Sequence, residues 1–579
     1  VFGPYAQDDE FGSRAINPME LYHNQVTRVQ GAFSLRMFHR SWGLMLIQAN
    51  LDAPCTLLDF PTRQRFIDEI CSTPYDIIGI GSITTNVLKV REMCRLIRAH
   101  RPKAKIVVGG HVANIPDLDQ RIDTDFIVRG EGVRWFRELL GEDTEAPIRH
   151  PCIPTRAGTR SMGVTVSEDP HDITATLIPS VGCPVGCNFC ATSAMFGGKG
   201  RFINFYETGD ELFDVMCQLE RDMQARSFFV MDENFLMDRR RALRLLELMQ
   251  RDDKSWILYI FSSGRVISSY TMEQLVGLGI SWVWMGLEGE NSRYSKLSGL
   301  DTRTLVRRLQ SHGIRVLGST IIGLEDHTPE NIDLVIDYAV SHDTDFHQFM
   351  LYTPLPGTPL HDELTAQGRM KAETECPTPD THGQFIFNYH HPHITDGRET
   401  EYVLRAFRRD LEVNGPSIVR VVRTTLAGWQ RYKNHPDPRI RRRFEWGNAG
   451  MATTYAAMVA ATRRYYRRDP AMRAKVSGLL GDLFGEFGWA SRLFAAVGGP
   501  FVHWTVRREQ RRLSRGWTYE PPTFYEHNAA AHGLGDDRRG GKLLAHVTPR
   551  VPAPQGKNAR ADVPVREVTE VPVATPVDV

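Results

Sequence analysis

Three of the chain's nine cysteines, Cys183, Cys187 and Cys190, fall inside the string IPSVGCPVGCNFCATSAMFGGKG. Thiolates are metal ligands, and a C-x3-C-x2-C spacing gathers three of them on one short loop. A structural zinc normally takes four ligands, usually as two close pairs, and the sequence offers neither a second Cys pair nor a suitably spaced His. Three buried structural cysteines are the blander alternative. An iron–sulfur cluster usually takes four thiolates, so three in one loop would leave one iron open. An open iron is a defect for plain electron transfer. It is what a cluster needs if it is to bind the molecule it reacts with.

The string TATLIPSVG, just before these cysteines, reads as a strand. It is the first of six, followed by SFFVMDE, WILYIFSS, SWVWMGLE, RVLGSTIIGL and FHQFMLYTPLPGTP, with helical segments such as DELFDVMCQLERDM, RRRALRLLELMQ and TRTLVRRLQSHG between them. Six βα units are short of the eight that close a barrel, so residues 173–395 are expected to form a partial (βα)6 barrel with its chemistry at the strand C-ends. The cysteine loop sits at such an end. Upstream, CTLLDF, YDIIGIG, AKIVVGG and DFIVRGEG read as strands between amphipathic helices. Continuous β-branched runs alternating with helices predict a doubly wound, flavodoxin-like α/β domain within residues 1–140, with ligands outside the carboxyl ends of the strands. Residues 141–172 read as a linker, 396–528 as a basic helical region, and 529–579 as a disordered tail.

Composition bounds the class. At 41% hydrophobic and 24% charged residues the chain is an ordinary globular protein of several domains. The other cysteines follow no framework, which fits a reducing cytoplasm. No run of about 18 uncharged apolar residues predicts a membrane-crossing helix. The opening VFGPYAQDDEFG does not resemble a secretory signal and begins without Met, so upstream residues are expected. Net charge of +1 hides an asymmetry: residues 401–520 carry 23 Lys and Arg against 10 Asp and Glu. The string from 478 to 517 has an apolar body and a basic end. It reads as a helical cap with a solvated Arg face, with peripheral membrane contact and nucleic acid as alternatives and nucleic acid the least favoured. His382, His390, His391 and His393 look like a metal cluster, but their place in a long loop after the barrel favours surface or pocket roles.

The cysteine spacing, with the aromatic Phe189 before the last Cys, resembles the signature of the radical SAM superfamily, and the likeness extends over about 173–395. The resemblance implies a 4Fe–4S cluster on Cys183, Cys187 and Cys190 whose open iron binds S-adenosylmethionine (SAM) and whose reduced form cleaves it to a 5′-deoxyadenosyl radical. It also implies SAM contacts. Asp232, Glu233 and Asn234 end the second strand, where a carboxylate or amide can bond the SAM ammonium. An N-cap for the next helix is the alternative for that trio. Ser262, Ser263 and Arg265 end the third strand and Glu288 follows the fourth. STIIGLED departs from the family pattern at Ser319 and Asp326, and PLPGTPL (354–360) matches a loop common in cobalamin-binding relatives.

Over about 40–140 the sequence resembles the cobalamin-binding domains of such enzymes, through YDIIGIGSITTN, KIVVGGHVAN and DFIVRGEGVRWF. No G-x-G-x-x-G opens a helix there, against a dinucleotide site. The resemblance implies cobalamin contacts at Gly81, Ser82, Thr84, Thr85, Gly109, Gly110, His111, Gly130, Glu131 and Gly132, where small residues let a flat corrin approach the backbone. The Asp-x-His-x-x-Gly motif for a lower axial His is absent, and His111 is expected to be structural or to touch the nucleotide tail. Together these features imply a methyltransferase acting on an unactivated carbon of a small-molecule or lipid-like substrate by way of methylcobalamin, with an external one-electron reductant of the flavodoxin or ferredoxin type. A cyclase or oxidase with the same cofactors is the second enzymatic reading. A non-enzymatic iron–sulfur or cobalamin carrier is the third, and it would have no use for MDEN after the second strand.

Overall fold

Four short strands open the architecture: β1 (Thr56–Asp59), β2 (Ile77–Gly81), β3 (Lys105–Gly109) and β4 (Phe126–Ile127). In the computed structural model, which describes residues 25–36, 39–155, 160–165, 173–288, 299–515, 523–528 and 542–545, β2, β3 and β4 pair in parallel in chain order. Side chains alternate between the faces of a strand. Ile78, Ile80, Ile106 and Val108 join an apolar cluster with Phe66 and Ile70 of the helix Arg63–Ser72 and with Val90, Cys94 and Ile97 of α1 (Val87–His100). Gly79 and Gly81 lie on the opposite face. There Phe136 of α2 (Gly132–Leu140) and Leu44 of the helix Trp42–Ala49 approach so closely that a Cβ would stand 3.3 Å and 3.0 Å from them. Helices cover both faces of the sheet, the doubly wound arrangement.

β1 departs from the expectation that it belongs to this sheet. It pairs antiparallel with β11 (Thr523–His527), a strand inside the stretch read as helical, and β11 pairs in turn with β12 (Lys542–Ala545), inside the stretch read as a disordered tail. Gln48 Nε2 donates to Glu526 O at 2.9 Å and Cys55 N to Asn528 Oδ1 at 2.9 Å at one end of the returning strand, and Thr523 Oγ1 donates to Phe60 O at 3.0 Å at the other. Apolar patterning marks a strand but not its partner.

The second sheet has β5 (Thr174–Leu177), β6 (Ser227–Val230), β7 (Ile257–Phe261), β8 (Ile280–Gly286), β9 (Arg315–Ile322) and β10 (Phe346–Leu351), all parallel and in chain order. This is the partial (βα)6 barrel. Its helices pack on the outside through residues such as Leu212, Met216, Leu245 and Met249. The cysteine loop and the short helix α3 (Ala191–Met195) follow β5.

The C-terminal region is helical to residue 513. Part of its basic character is spent on docking to the barrel: Arg439 donates to Gly277 O at 2.8 Å and Arg443 to Val276 O, both at the end of the barrel helix Met272–Gly277. Burial pushes the Arg443 guanidinium down to about 9. Helix α4 (Ser417–Tyr432) touches the barrel where Gly428 meets Gly313; a Cβ on either would lie 2.6 Å from the other's Cα. Two further helices, α5 (Ala456–Tyr465) and α6 (Pro470–Leu513), pack tightly on each other, and α6 breaks at Gly488 (φ 61°, ψ −136°). Residues 1–24, containing the opening VFGPYAQDDEFG, and most of the stretch after 529 lie outside the described residues.

Candidate functional site

The cysteine loop is clamped at its base. Ser180–Val181 pairs with Ile203–Asn204, and everything between bulges from the C-end of β5. Gly186 has φ 64°, and a Cβ there would lie 2.4 Å from Lys199 Cα, so the loop folds back on its own GGKG end. Gly200 N donates to Pro184 O at 2.8 Å across the same contact. Cys190 begins α3, its Sγ accepting Ser193 N at 3.4 Å, while Ser193 Oγ donates to Cys183 O at 2.7 Å and Cys190 N to Cys187 O at 3.0 Å. All three cysteines are half-buried. Burial pushes the Cys183 thiol up to about 11, and Cys187, Cys190 and Glu233 reinforce the shift. Among the described residues no three His, Cys, Asp or Glu side chains gather tightly enough for a single metal ion. A structural zinc takes four ligands on one ion, whereas an iron–sulfur cluster takes its thiolates on separate irons.

Phe189 stacks edge-on against Tyr352 with ring centroids 6.0 Å apart. Beside it Asn188 O accepts Leu360 N at 3.0 Å, so the PLPGTPL loop after β10 holds the cysteine loop from the far side of the sheet. Asn188 and Tyr352 were not singled out in the sequence. The only signal for them was the PLPGTPL string itself.

Asp232 and Glu233 are consecutive but differently surrounded. Asp232 is buried and committed: Oδ2 accepts Arg241 Nη2 at 2.6 Å and Ser180 Oγ at 2.7 Å, and Oδ1 accepts Asn234 N at 3.0 Å. It braces the base of the cysteine loop. Glu233 carries a buried Oε2 that finds no hydrogen-bond partner. Burial, with Asp232 beside it, pushes its carboxyl up to about 8. A buried carboxylate with one oxygen unsatisfied, beside Cys183, fits a cationic group as its partner. Asn234 Oδ1 accepts Ser262 Oγ at 2.8 Å and Ser263 N at 3.1 Å, linking the ends of β6 and β7. Glu288 is buried after β8 and folds back over Gly286, where a Cβ would meet its Oε1 at 2.3 Å. Arg265 lies exposed on the helix Gly264–Ser268, apart from the buried Ser262–Asn234 pair.

The C-ends of β2 and β3 form the second half of the site. Gly110 has φ 81°, and a Cβ there would lie 2.5 Å from Ser82 O. Ser82 N donates to Gly109 O at 3.1 Å and Val112 N to Ser82 O at 3.1 Å, knitting the two strand ends together. Gly109 meets only ordinary contact, 3.6 Å from Val128 O. Thr84 is buried with its Oγ1 donating to His111 O at 3.3 Å, and Thr85 is half-buried in the same turn. Ser82 Oγ and His111 Nδ1 are buried without partners, and burial holds the His111 imidazole below its usual range. Three residues expected at this site also have structural tasks. Gly81 and Gly132 admit Leu44 and Ile47 of the helix Trp42–Ala49, and Glu131 caps α2, Oε2 accepting Arg134 N at 3.0 Å.

These two halves meet. A Cβ on Gly130 would lie 3.7 Å from Met195 O of α3, and one on Gly357 3.0 Å from Asn114 Cβ in the turn His111–Asn114. Arg121 Nη1 donates to Thr378 Oγ1 at 3.4 Å nearby. The carboxyl edge of the first sheet is thus set against the loops at the C-ends of the barrel strands. Among the described residues the four histidines form no metal-holding group: His391 stacks on Phe387, bonds Leu324 O at 3.1 Å and meets His393 edge-on at 6.3 Å, His382 is half-buried, and His390 and His393 are exposed.

Residues 33–140 match the family described as B12 binding domain, and residues 177–339 match the Radical SAM superfamily. The chain is 25% identical to "Uncharacterized methyltransferase PH0819" of Pyrococcus horikoshii, over 50% of this chain and 70% of that protein. It is 27% identical to the bacteriochlorophyllide d C-12(1)-methyltransferase of Chlorobaculum tepidum, over 56% of this chain and 74% of that one. A solved structure of the radical S-adenosylmethionine methyltransferase TsrM from Kitasatospora setae, with tryptophan and a SAM analog, matches at a TM-score of 0.46 and 18% identity, covering 71% of this chain and 96% of that one.

Proposed function

We propose that this chain, a radical SAM enzyme with an N-terminal B12-binding domain, transfers a methyl group to an unactivated carbon of a small-molecule or lipid-like substrate. The observation that carries the reading is the apposition of the two half-sites, Gly130 against Met195 and Asn114 against Gly357. The methylase names borne by the relatives favour methyl transfer over other radical chemistry.

The Cys183, Cys187 and Cys190 thiolates would hold a 4Fe–4S cluster, held in place by the Ser193, Lys199 and Leu360 backbone contacts. Glu233 would accept the SAM ammonium, gaining the partner its buried Oε2 lacks. Asn234, Ser262 and Ser263 would position the rest of SAM, with Phe189 and Glu288 beside it and Arg265 at the rim. Gly109, Gly110, Ser82, Thr84, Thr85 and His111 would receive the cobalamin tail along the edge of the first sheet. When bound, the cluster with SAM supplies hydrogen-atom abstraction and cobalamin supplies the methyl group. The chain's own work is orientation and exclusion of water: Asp232 and Arg241 brace the loop base, and the docked PLPGTPL loop closes one side. An external one-electron reductant of the flavodoxin or ferredoxin type belongs to this reading.

The test is anaerobic incubation of reconstituted protein with cobalamin, reductant, cell extract and SAM labelled in the methyl group. Label appearing in a new carbon–methyl product alongside 5′-deoxyadenosine is expected. Deoxyadenosine with a cyclised or oxidised product and no methyl label would replace methyl transfer by the second enzymatic reading. Neither product nor deoxyadenosine would leave a carrier.

A further inference from the structure

The break at Gly488 divides α6 into a first half that packs into the helical core through Val476, Leu479, Leu480 and Leu483 and a second half that lies along α5. That second contact is close. A Cβ on Gly498 would lie 2.9 Å from Ala457 Cβ, and one on Gly499 3.0 Å from Ala460 Cβ. With one face so committed, the opposite face of the second half is bare. Trp489 is 76% exposed, Val497 70%, Phe501 61% and Trp504 55%, with Leu493 and Phe494 also exposed. Residues 489, 493, 497, 501 and 504 repeat at three- and four-residue steps, so they form one stripe along the helix. Scattered exposed apolar residues need no explanation, but a contiguous aromatic stripe does.

A basic cleft borders the stripe. It has a volume of about 520 Å3 and is lined by Arg463, Arg464 and Arg467 at the end of α5, Arg473 from the start of α6, and Ala496 and Pro500, which directly precede Val497 and Phe501. Among the described residues no carboxylate lies within 4.0 Å of these four guanidiniums, and none makes a hydrogen bond. Beyond Trp504 the stripe itself turns basic, at Arg508, Arg511 and Arg515, all exposed, with Arg508 over the Trp504 ring at 5.6 Å.

We propose that this face of α5 and α6 is a peripheral membrane-docking surface, in which the Trp489–Trp504 stripe enters the headgroup boundary of an anionic bilayer and the Arg463–Arg464–Arg467–Arg473 cleft takes lipid phosphates. Charge complementarity chooses the occupant. Four unpaired guanidiniums beside the stripe and three beyond its end would repel a second copy of the same surface, and a partner helix has no use for a cleft of unpaired cations. Tryptophan and phenylalanine flanked by arginine is the chemistry of a helix lying in the interface plane. No helix of the described residues is long and apolar enough to cross a membrane, so docking is superficial. The proposal is independent of the methyl-transfer reading.

The experiment uses the full chain with vesicles of phosphatidylcholine alone or mixed equally with phosphatidylglycerol. Co-sedimentation with the anionic vesicles, weakening as salt is raised, is expected. Arg463, Arg464, Arg467 and Arg473 together changed to Gln should lower the partition at least tenfold, since each arginine near an anionic surface is worth roughly fivefold. All four are exposed, and retained helical circular dichroism shows that the variant folds. A measurement on the unaltered protein needs no variant: brominated acyl chains should quench Trp489 and Trp504 fluorescence. Absence of wild-type co-sedimentation, or binding unchanged in the Arg variant, would overturn the proposal. So would a lipid-free dimer that dissociates when Val497→Ser and Phe501→Ser are introduced, because a second copy would then cover the stripe. An oligonucleotide bound through the four arginines without any vesicle binding would also overturn it.

Discussion

Glu233→Gln and Asp232→Asn change neighbouring carboxylates by the same chemistry and should give opposite results. Burial pushes Glu233 up to about 8, against the pull of backbone hydrogen bonds at Gly182 and at its own amide, so near pH 7 the protonated acid prevails and Gln matches its shape and charge. Gln keeps the acceptor oxygen and adds no charge, so Glu233→Gln should change thermal stability by no more than about 1 kcal/mol, the net worth of one hydrogen bond. Its SAM affinity should fall. A hydrogen bond to a charged group is worth about 1.5–3 kcal/mol, which corresponds to roughly 10- to 150-fold. Asp232→Asn breaks a 2.6 Å pair with Arg241 in which the side chains are 7% and 3% exposed. Leaving the Arg241 guanidinium buried without its counter-charge should cost about 3–5 kcal/mol of stability. The assay is chemical or thermal unfolding of both variants beside equilibrium dialysis of SAM against cluster-reconstituted protein, with iron content measured in each. If Glu233→Gln leaves SAM affinity within threefold of wild type while its cluster is intact, the assignment of Glu233 to the SAM ammonium is wrong. If Asp232→Asn is as stable as wild type, the bracing role of the pair is wrong.

Changing Cys183, Cys187 and Cys190 to Ala should abolish iron binding and reductive SAM cleavage together, and visible absorbance of the cluster surviving in the triple variant would remove the assignment. Gly110→Ala forces a side chain into φ 81°, ψ −170°, a region essentially reserved for glycine, at about 1–3 kcal/mol, and puts its Cβ 2.5 Å from Ser82 O. Bound cobalamin per chain should drop at least tenfold with far-UV circular dichroism unchanged, and full occupancy would count against this edge as the cobalamin site. Arg95, with Arg63, holds Glu92 of α1 down to about 2 from its ordinary 4.5. A depressed carboxylate stabilises the fold fully above 4.5 and loses that contribution as pH falls towards 2. Glu92→Gln should flatten the acid limb of the stability curve between those values, and an unchanged slope would exclude the pair as its source.

The barrel was legible because its six strands are uninterrupted runs such as WILYIF and VLGSTII, and the cysteine loop because three thiols at fixed spacing have few uses. What stayed hidden depends on partners distant in sequence. Asp232 and Glu233 look alike in MDEN, but in the turn that follows β6 one bonds Arg241, on the following helix, and the other lies beside Cys183. Gly81 and Gly132 did signal close approach, yet what approaches them is Leu44 and Ile47. Composition marked the C-terminal region as basic without separating the docked Arg439 and Arg443 from the solvent-facing Arg463 and Arg464. Only burial makes that distinction.

The pairing of β1 with β11 has a consequence for biosynthesis. Thr56 and its partner His527 are 471 residues apart. At roughly 5–20 residues per second, a ribosome takes about half a minute to a minute and a half to travel that distance. Throughout that interval β1 is a strand whose edge has no native neighbour, and for most of it the parallel sheet of residues 77–127, made soon after, is already complete. Such an edge is a template for pairing with another nascent chain. Slowing translation should therefore raise the aggregated fraction of this protein, and a chain whose β11 is supplied early, by permuting residues 523–528 to precede residue 56, should escape that dependence.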